Sequence, residues 1–154
     1  VQSGMIAGDG DLVNEIKNYS LFRTYRCSPM TLFELQETVL KYINKQEKEI
    51  PFWSLITQPY SSLEDRCKNL AKSISFSTSI EKGESVIGGG TLPDVTLESP
   101  ILLINNEKTV DTVNQLIKND IPIVPRIIKD QVCLDLRSVF HNQDDIIVQA
   151  LNNT

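Results

Sequence analysis

The stretch Leu97-Glu98-Ser99-Pro100-Ile101-Leu102-Leu103-Ile104 decides the fold class. Its run from Pro100 to Ile104 is the longest apolar run in the chain. That is strand length, far below the roughly 20 residues a membrane-spanning helix needs. Upstream, Phe76 to Ile80 alternates and is rich in Ser and Thr, which predicts a strand; Glu84 to Ile87 predicts another, ahead of Gly88-Gly89-Gly90. Downstream, Thr109 to Lys118 has helical spacing, with Val110, Val113, Leu116 and Ile117 expected to face inward. Ile123 to Ile128 and Gln131 to Leu136 predict a hairpin around Lys129-Asp130, and Asp144 to Leu151 predicts a final helix. Short strands interleaved with helices indicate an α/β (α+β) module: a small antiparallel sheet with helices packed on it.

The residues before this module read as a helical connector. Gly4 to Gly8 is small and apolar and predicts a short strand; Asp9-Gly10 reads as a turn, and Asp11 as the cap of a helix carrying Leu12, Val13 and Ile16. Tyr19 to Arg26 (YSLFRTYR) reads as a link of alternating aromatic and basic residues. Ser28-Pro29 is a helix-entry signal, Thr31 with Glu34 fits a capping box, and Leu32, Leu35, Val39, Leu40 and Ile43 carry the helix to about Lys45. A short helical piece follows from Ile50 to Thr57. Pro59 breaks it, and Ser61 or Ser62 caps a helix burying Leu63, Cys67, Leu70, Ala71 and Ile74. The composition shift near Ser61 places the expected domain boundary between residues 1–60 and 61–154. The chain opens on Val1 with an element expected almost at once, so it reads as the C-terminal part of a longer protein.

Composition narrows the function classes. At 154 residues, 40% hydrophobic and 23% charged, the chain has the makings of a packed core. A net charge of -5 argues against nucleic-acid binding by this chain itself, because neutralising phosphates takes clustered Lys and Arg. No basic segment precedes an apolar one as in a signal peptide. Cys27, Cys67 and Cys133 are odd in number and widely spaced, without metal-ligand spacing; they read as reduced, buried thiols in a cytoplasmic setting. No metal site is expected.

Four features carry candidate chemistry. Arg23 and Arg26 lie close together among aromatic residues, and Arg is suited to forked capture of phosphate or carboxylate; the alternative is a pair of surface arginines facing nearby acids. Gly88, Gly89 and Gly90 allow positive φ and close backbone approach, either to cradle an anion or simply to make a demanding turn. Arg126 is a candidate for a substrate carboxylate or an edge residue facing water, and Asp135 is a candidate partner for Arg137. His141 is the lone histidine, without the convergent ligands or nucleophile–base pairing a catalytic site requires.

Taken together, QSGMIAG, LFRTYR, TLFELQETVLKYI, GGGTLP with Ser99, and IPIVPRIIKDQVCLDLRSV resemble the C-terminal half of bacterial L-seryl-tRNA(Sec) selenium transferases over nearly the whole chain. That resemblance implies the C-terminal domain of a fold-type-I pyridoxal 5'-phosphate enzyme. It implies a reaction replacing the seryl hydroxyl of seryl-tRNA(Sec) with selenium from selenophosphate, in a homo-oligomer without membrane association. The Schiff-base lysine would lie just upstream of Val1, leaving no catalytic residue here and the cofactor not bound to these residues alone. Arg23 and Arg26 match the arginines that hold the donor's anionic group. Contacts to tRNA would lie mostly outside the chain. Two departures stand out: Ser28-Pro29 replaces an Asp-Lys pair, and Lys129-Asp130 replaces an Asp-Gly turn. A related lyase acting on a small amino compound and a non-catalytic α/β interaction domain are the competing readings.

Overall fold

A computed structural model describes residues 2–88 and 95–153. They group into two compact units, one ending at Ile50 and the other beginning at Pro51. The composition shift near Ser61 does not coincide with this division: Ile56 O and Gln58 O accept hydrogen bonds from Arg137 within the second unit.

The first unit is helical. Helix α1 (Gly10–Asn18) is capped by Asp9, whose carboxylate accepts from the backbone N–H of Asp11 (2.9 Å) and Leu12 (3.2 Å). The expected cap, Asp11, instead sits in the first turn, where its charge complements the helix dipole. Residues Gly4 to Gly8 form no strand: every strand of the described residues belongs to the second unit, and an extended segment without a ladder partner stays irregular. Ser20–Tyr25 is a 3₁₀ turn rather than a plain link. Helix α2 (Pro29–Ile43) begins as expected at Ser28, whose hydroxyl accepts from Thr31 N–H at 3.1 Å, with Pro29 in the first turn. The capping residue is thus Ser28, one turn ahead of the Thr31–Glu34 pair. The helix stops at Ile43 because Lys45 adopts φ 57°. Gln46 N–H then reaches Lys41 O (2.8 Å) and Lys45 N–H reaches Tyr42 O (3.2 Å), the double bond of a left-handed C-terminal cap. None of the residues of α1, the 3₁₀ turn or α2 is buried.

The second unit holds the core. It comprises α3 (Pro51–Ile56), α4 (Tyr60–Ser73), β1 (Ser77–Val86), β2 (Thr96–Asn105), α5 (Thr109–Lys118), β3 (Arg126–Ile128), β4 (Gln131–Asp135) and α6 (Asp144–Asn152). Pro59 stands at the start of α4, a little ahead of the expected Ser61 or Ser62. The four strands form one antiparallel sheet in the order β1-β2-β4-β3. The two predicted strands from Phe76 to Ile87 are one, because β2 pairs along its whole length, from Ser77↔Asn105 to Val86↔Thr96. Gly83 is a point of close approach between β1 and β2: a Cβ there would lie 2.4 Å from Cγ1 of Ile101.

Leu102, Ile104, Val132 and Leu134 point from the sheet into one cluster with Leu63, Cys67 and Leu70 of α4, Leu116 of α5 and Ile147 and Leu151 of α6. Each fully buried aliphatic side chain contributes about 1.5–3 kcal/mol. By strand alternation Ile101, Leu103 and Cys133 form a smaller cluster on the opposite face. Helix α5 has the predicted bounds but a narrower inner stripe: Thr112 and Leu116 are buried, while Val110 (65% exposed) and Ile117 (44%) face out. The hairpin strands are shorter than expected, and Lys129 (φ 50°) and Asp130 (φ 60°) make a two-residue turn with both φ positive.

Candidate functional site

The arginines of the first unit are placed by the 3₁₀ turn. Arg23 lies within it and Arg26 stands at its C-cap, three residues on, which is one full 3₁₀ turn. Both are exposed, and among the described residues neither side chain has an ion pair or hydrogen bond. Residues between and beside them (Leu21, Phe22, Tyr25 and Cys27) line a cleft of about 920 Å³ whose other walls include Met5, Ile6, Val13 and Ile16. The local product is a pair of unneutralised guanidinium forks beside an open apolar cleft.

The remaining sequence candidates lie in the second unit. Arg126 opens the edge strand β3 and is 43% exposed; its Nη2 is 3.5 Å from Asp135 Oδ2, and its Nη1 donates to Glu84 O at 3.2 Å. Asp135 also accepts from the Ser85 and Ser99 hydroxyls and from the backbone N–H of Arg137. Asp135 is therefore Arg126's partner. Arg137's guanidinium turns instead to the carbonyls of Ile56, Gln58 and Glu98. Arg126, Ser85, Ser99 and Asp135 share the sheet face opposite α4, α5 and α6, a placement set by strand register. Arg126 and Asp135 line a cleft of about 520 Å³ with Val124, Cys133 and Ile146.

Gly88 follows β1 without positive φ, and a Cβ there would meet nothing within 4 Å, so neither conformation nor space demands glycine at that position. Gly89 and Gly90 lie outside the described residues. His141 is exposed, with Nδ1 3.6 Å from Asp144, and the described residues hold no cluster of three or more His, Cys, Asp or Glu suited to a metal. Burial pushes the Cys67 thiol up to about 12 against the opposing pull of Arg66, and it pushes Cys133 up against Arg126, so neither is a ready nucleophile. Cys27 is exposed, not buried as expected.

Two polar groups escaped the sequence reading. Ser85 reads as a solvent-side strand residue until Asp135 is placed opposite it. Arg66, which the sequence reading did not place on the inner face of α4, is buried there and binds Asp144 through Nε (3.0 and 2.7 Å) and the carbonyls of Leu136 and Val139 through Nη1.

The family model for L-seryl-tRNA selenium transferase matches residues 1–140. The chain belongs to this family. Within it, the L-seryl-tRNA(Sec) selenium transferase of Clostridium perfringens (strain 13 / Type A) is 31% identical over 97% of the chain. Those of Campylobacter jejuni subsp. doylei and Campylobacter fetus subsp. fetus are 28% and 31% identical over 99% of it. The chain spans about a third of the length of these selenium transferases (34%). The match covers both units, so Arg23, Arg26, Arg126 and Asp135 all fall inside the selenium transferase region. The fold agrees with the resemblance read from sequence: a helical connector, then a small antiparallel sheet carrying helices on one face. No helix among the described residues is long and apolar enough to cross a membrane.

Proposed function

We propose that the chain is part of a pyridoxal 5'-phosphate-dependent selenium transferase that converts seryl-tRNA(Sec) to selenocysteinyl-tRNA(Sec) with selenophosphate, and that Arg23 and Arg26 hold the donor's anionic group. The observation that carries this reading is the arginine pair itself: two exposed guanidiniums, one 3₁₀ turn apart, neither in an ion pair with an acid among the described residues. Planar donor forks match phosphate oxygens, which supports an anion as the ligand of two neighbouring arginines that no described acid pairs with. Arg126, steered by Asp135 and still 43% exposed, is the second candidate contact for a substrate anion.

The described residues do not fit the cofactor by themselves. Pyridoxal phosphate is held by a lysine whose amine is desolvated enough to react at neutral pH. Lys17 borders the apolar cleft but is exposed, while Lys41, Lys68 and Lys82 pair with Glu49, Glu64 and Glu98. In this reading the lysine comes from sequence beyond these 154 residues, for which the threefold greater length of the relatives leaves room. The acidic balance supports tRNA being gripped mostly elsewhere. Exposed apolar side chains on α1 and α2, among them Leu12, Met30, Phe33 and Ile43, support burial against further protein surface, consistent with a homo-oligomer. A tRNA substrate and three free thiols support a cytoplasmic setting.

Calorimetric titration of the chain with thiosulfate and with phosphate tests the arginine assignment. Saturable binding is expected, weakened at least tenfold by Arg23→Ala or Arg26→Ala, with an unchanged far-ultraviolet spectrum because both side chains are exposed. Equal affinity in the double variant would sink the assignment. The seryl-to-selenocysteinyl conversion is tested with the full protein that contains these residues, where the same substitutions should abolish selenium incorporation.

A further inference from the structure

Strand β1 is an open edge of the sheet: it pairs with β2 and with no other strand of the described residues. The ladder continues one step past the strand, where Ile87 N–H donates to Val95 O at 3.3 Å. Hydrogen-bonded and non-hydrogen-bonded positions alternate along an antiparallel ladder. The odd-numbered residues of β1 therefore direct their backbone groups at β2, and the even-numbered ones direct theirs away from it. From Ile80 to Val86 those outward groups meet one partner among the described residues. Glu84 O accepts from Arg126 Nη1 at 3.2 Å, which leaves that carbonyl a second lone pair. An edge ten residues long with idle donors and acceptors is a template for one more strand.

Charged side chains on an edge ordinarily deter such pairing. Those of β1 deter every register but one. Lys82 and Glu84 are exposed, opposite in sign and two residues apart, so they share a face of the strand. Glu84 stands directly opposite Glu98 in the register, a like-charge pair, and is in no ion pair with a cation among the described residues. Lys82 bridges to Glu98 instead, at 2.7 Å. When two copies of β1 run antiparallel, the outward-facing even residues form the hydrogen-bonded pairs, and one residue faces its own copy across the two-fold axis. With Glu81, Lys82 or Glu84 on the axis, a charge meets its own copy. With Gly83 on the axis, Lys82 meets Glu84 of the second copy twice, once on each side, while Ile80 meets Val86 and Glu81 meets Ser85. Gly83 then meets its own copy as a non-hydrogen-bonded pair, where Cα atoms approach to about 4.5 Å, with no side chain between them.

We propose that β1 is an interface for a second copy of this chain. The two strands pair antiparallel about Gly83, the two sheets join edge to edge, and Lys82 and Glu84 select the register. The pairing also covers Val86, 57% exposed, with Ile80 of the second copy. It involves the second unit alone and holds whether or not Arg23 and Arg26 bind an anion.

Sedimentation velocity of the chain over a range of concentrations tests the pairing, with melting temperature as the folding control. A reversible monomer–dimer equilibrium is expected. Lys82→Glu and Glu84→Lys should each weaken it about tenfold or more, because each sets like charges against one another at two places. Folding is expected to be unchanged: both side chains are exposed, and the Lys82–Glu98 bridge lost in Lys82→Glu is a surface pair worth little. The double variant restores opposite charges across the interface and should recover the dimer. An equimolar mixture of the two single variants should form a heterodimer tighter than either homodimer. A dimer formed through the apolar faces of α1 and α2 would respond to none of these changes. The proposal is overturned by a chain that stays monomeric up to its solubility limit, by a dimer indifferent to the single variants, or by single variants that dissociate while the double variant and the mixture fail to associate.

Discussion

Replacing Arg66 by Met is the sharpest test of how the second unit holds together. Arg66 is 6% exposed and its partner Asp144 13%, so the pair sits largely out of water. The guanidinium joins α4 to α6 through Asp144, and to the segment after β4 through the carbonyls of Leu136 (3.0 Å) and Val139 (2.9 Å). Met fills a comparable volume, so the loss is electrostatic rather than a cavity. Removing one partner of a buried ion pair costs about 3–5 kcal/mol, because the other charge stays behind unpaired. Here two carbonyls also lose their donor, which places the expected loss at the upper end of that range. A domain has a total stability of about 5–15 kcal/mol, so this is a third of it or more. For a unit near 100 residues, each kcal/mol moves the melting temperature by about 4 °C or more, giving a fall of about 15–20 °C by calorimetry. Arg66→Met combined with Asp144→Leu removes the orphaned carboxylate and should recover more than half of the loss, but not all, because Leu136 O and Val139 O remain unpaired. A single-variant loss below about 1 kcal/mol would mean the pair behaves like a solvent-exposed salt bridge and would refute the reasoning.

Three further outcomes are expected. Thiol-reagent counting at pH 8 should find one fast group, exposed Cys27, and two that react only on unfolding. Cys67, pushed up to about 12, keeps roughly one thiolate in ten thousand at that pH; three fast thiols would contradict the core assignment. The same shift has a stability consequence. The folded thiol holds its proton above the ordinary value of 9.0, so this contribution is complete below that pH and is lost as pH rises towards about 12, visible in alkaline denaturation melts that Cys67→Ala should flatten. Gly83→Ala places a methyl 2.4 Å from Cγ1 of Ile101, a β-branched side chain 3% exposed and stiff about χ1, and should destabilise by about 1–3 kcal/mol in denaturant titrations. Gly83→Ala should cost less in an Ile101→Ala background, where Cγ1 is absent; an unchanged midpoint for Gly83→Ala alone would disprove the close approach.

Much of the architecture follows from local pattern. The apolar run of β2, the 3.6-residue period of α5 and α6, and the Ser28-Pro29 entry of α2 each act over a few neighbouring residues, so they are visible without knowing what lies across from them. Arg23 and Arg26 were equally legible, because three-residue spacing in a short aromatic-basic segment needs no tertiary partner to suggest paired donors. The segment Gly4 to Gly8 shows the limit of such reasoning: its residues suit a strand, but a strand is a relation between two segments, and none of the described residues pairs with it.

What the sequence by itself determined is most of the element types, the α/β class with its small antiparallel sheet, and the family. These depend on hydrophobic period, capping chemistry and short motifs, all encoded within a turn or two of chain. Only the tertiary structure decided that β1 runs unbroken through Gly83, that the Asp135 carboxylate pairs with the Arg126 guanidinium rather than that of Arg137, that Arg66 belongs inside, and that the Arg137 guanidinium is held by backbone carbonyls. Each of these is settled by a partner 9 to 81 residues away. Burial and hydrogen-bond satisfaction depend on what surrounds a group in space, and a linear pattern does not contain that information.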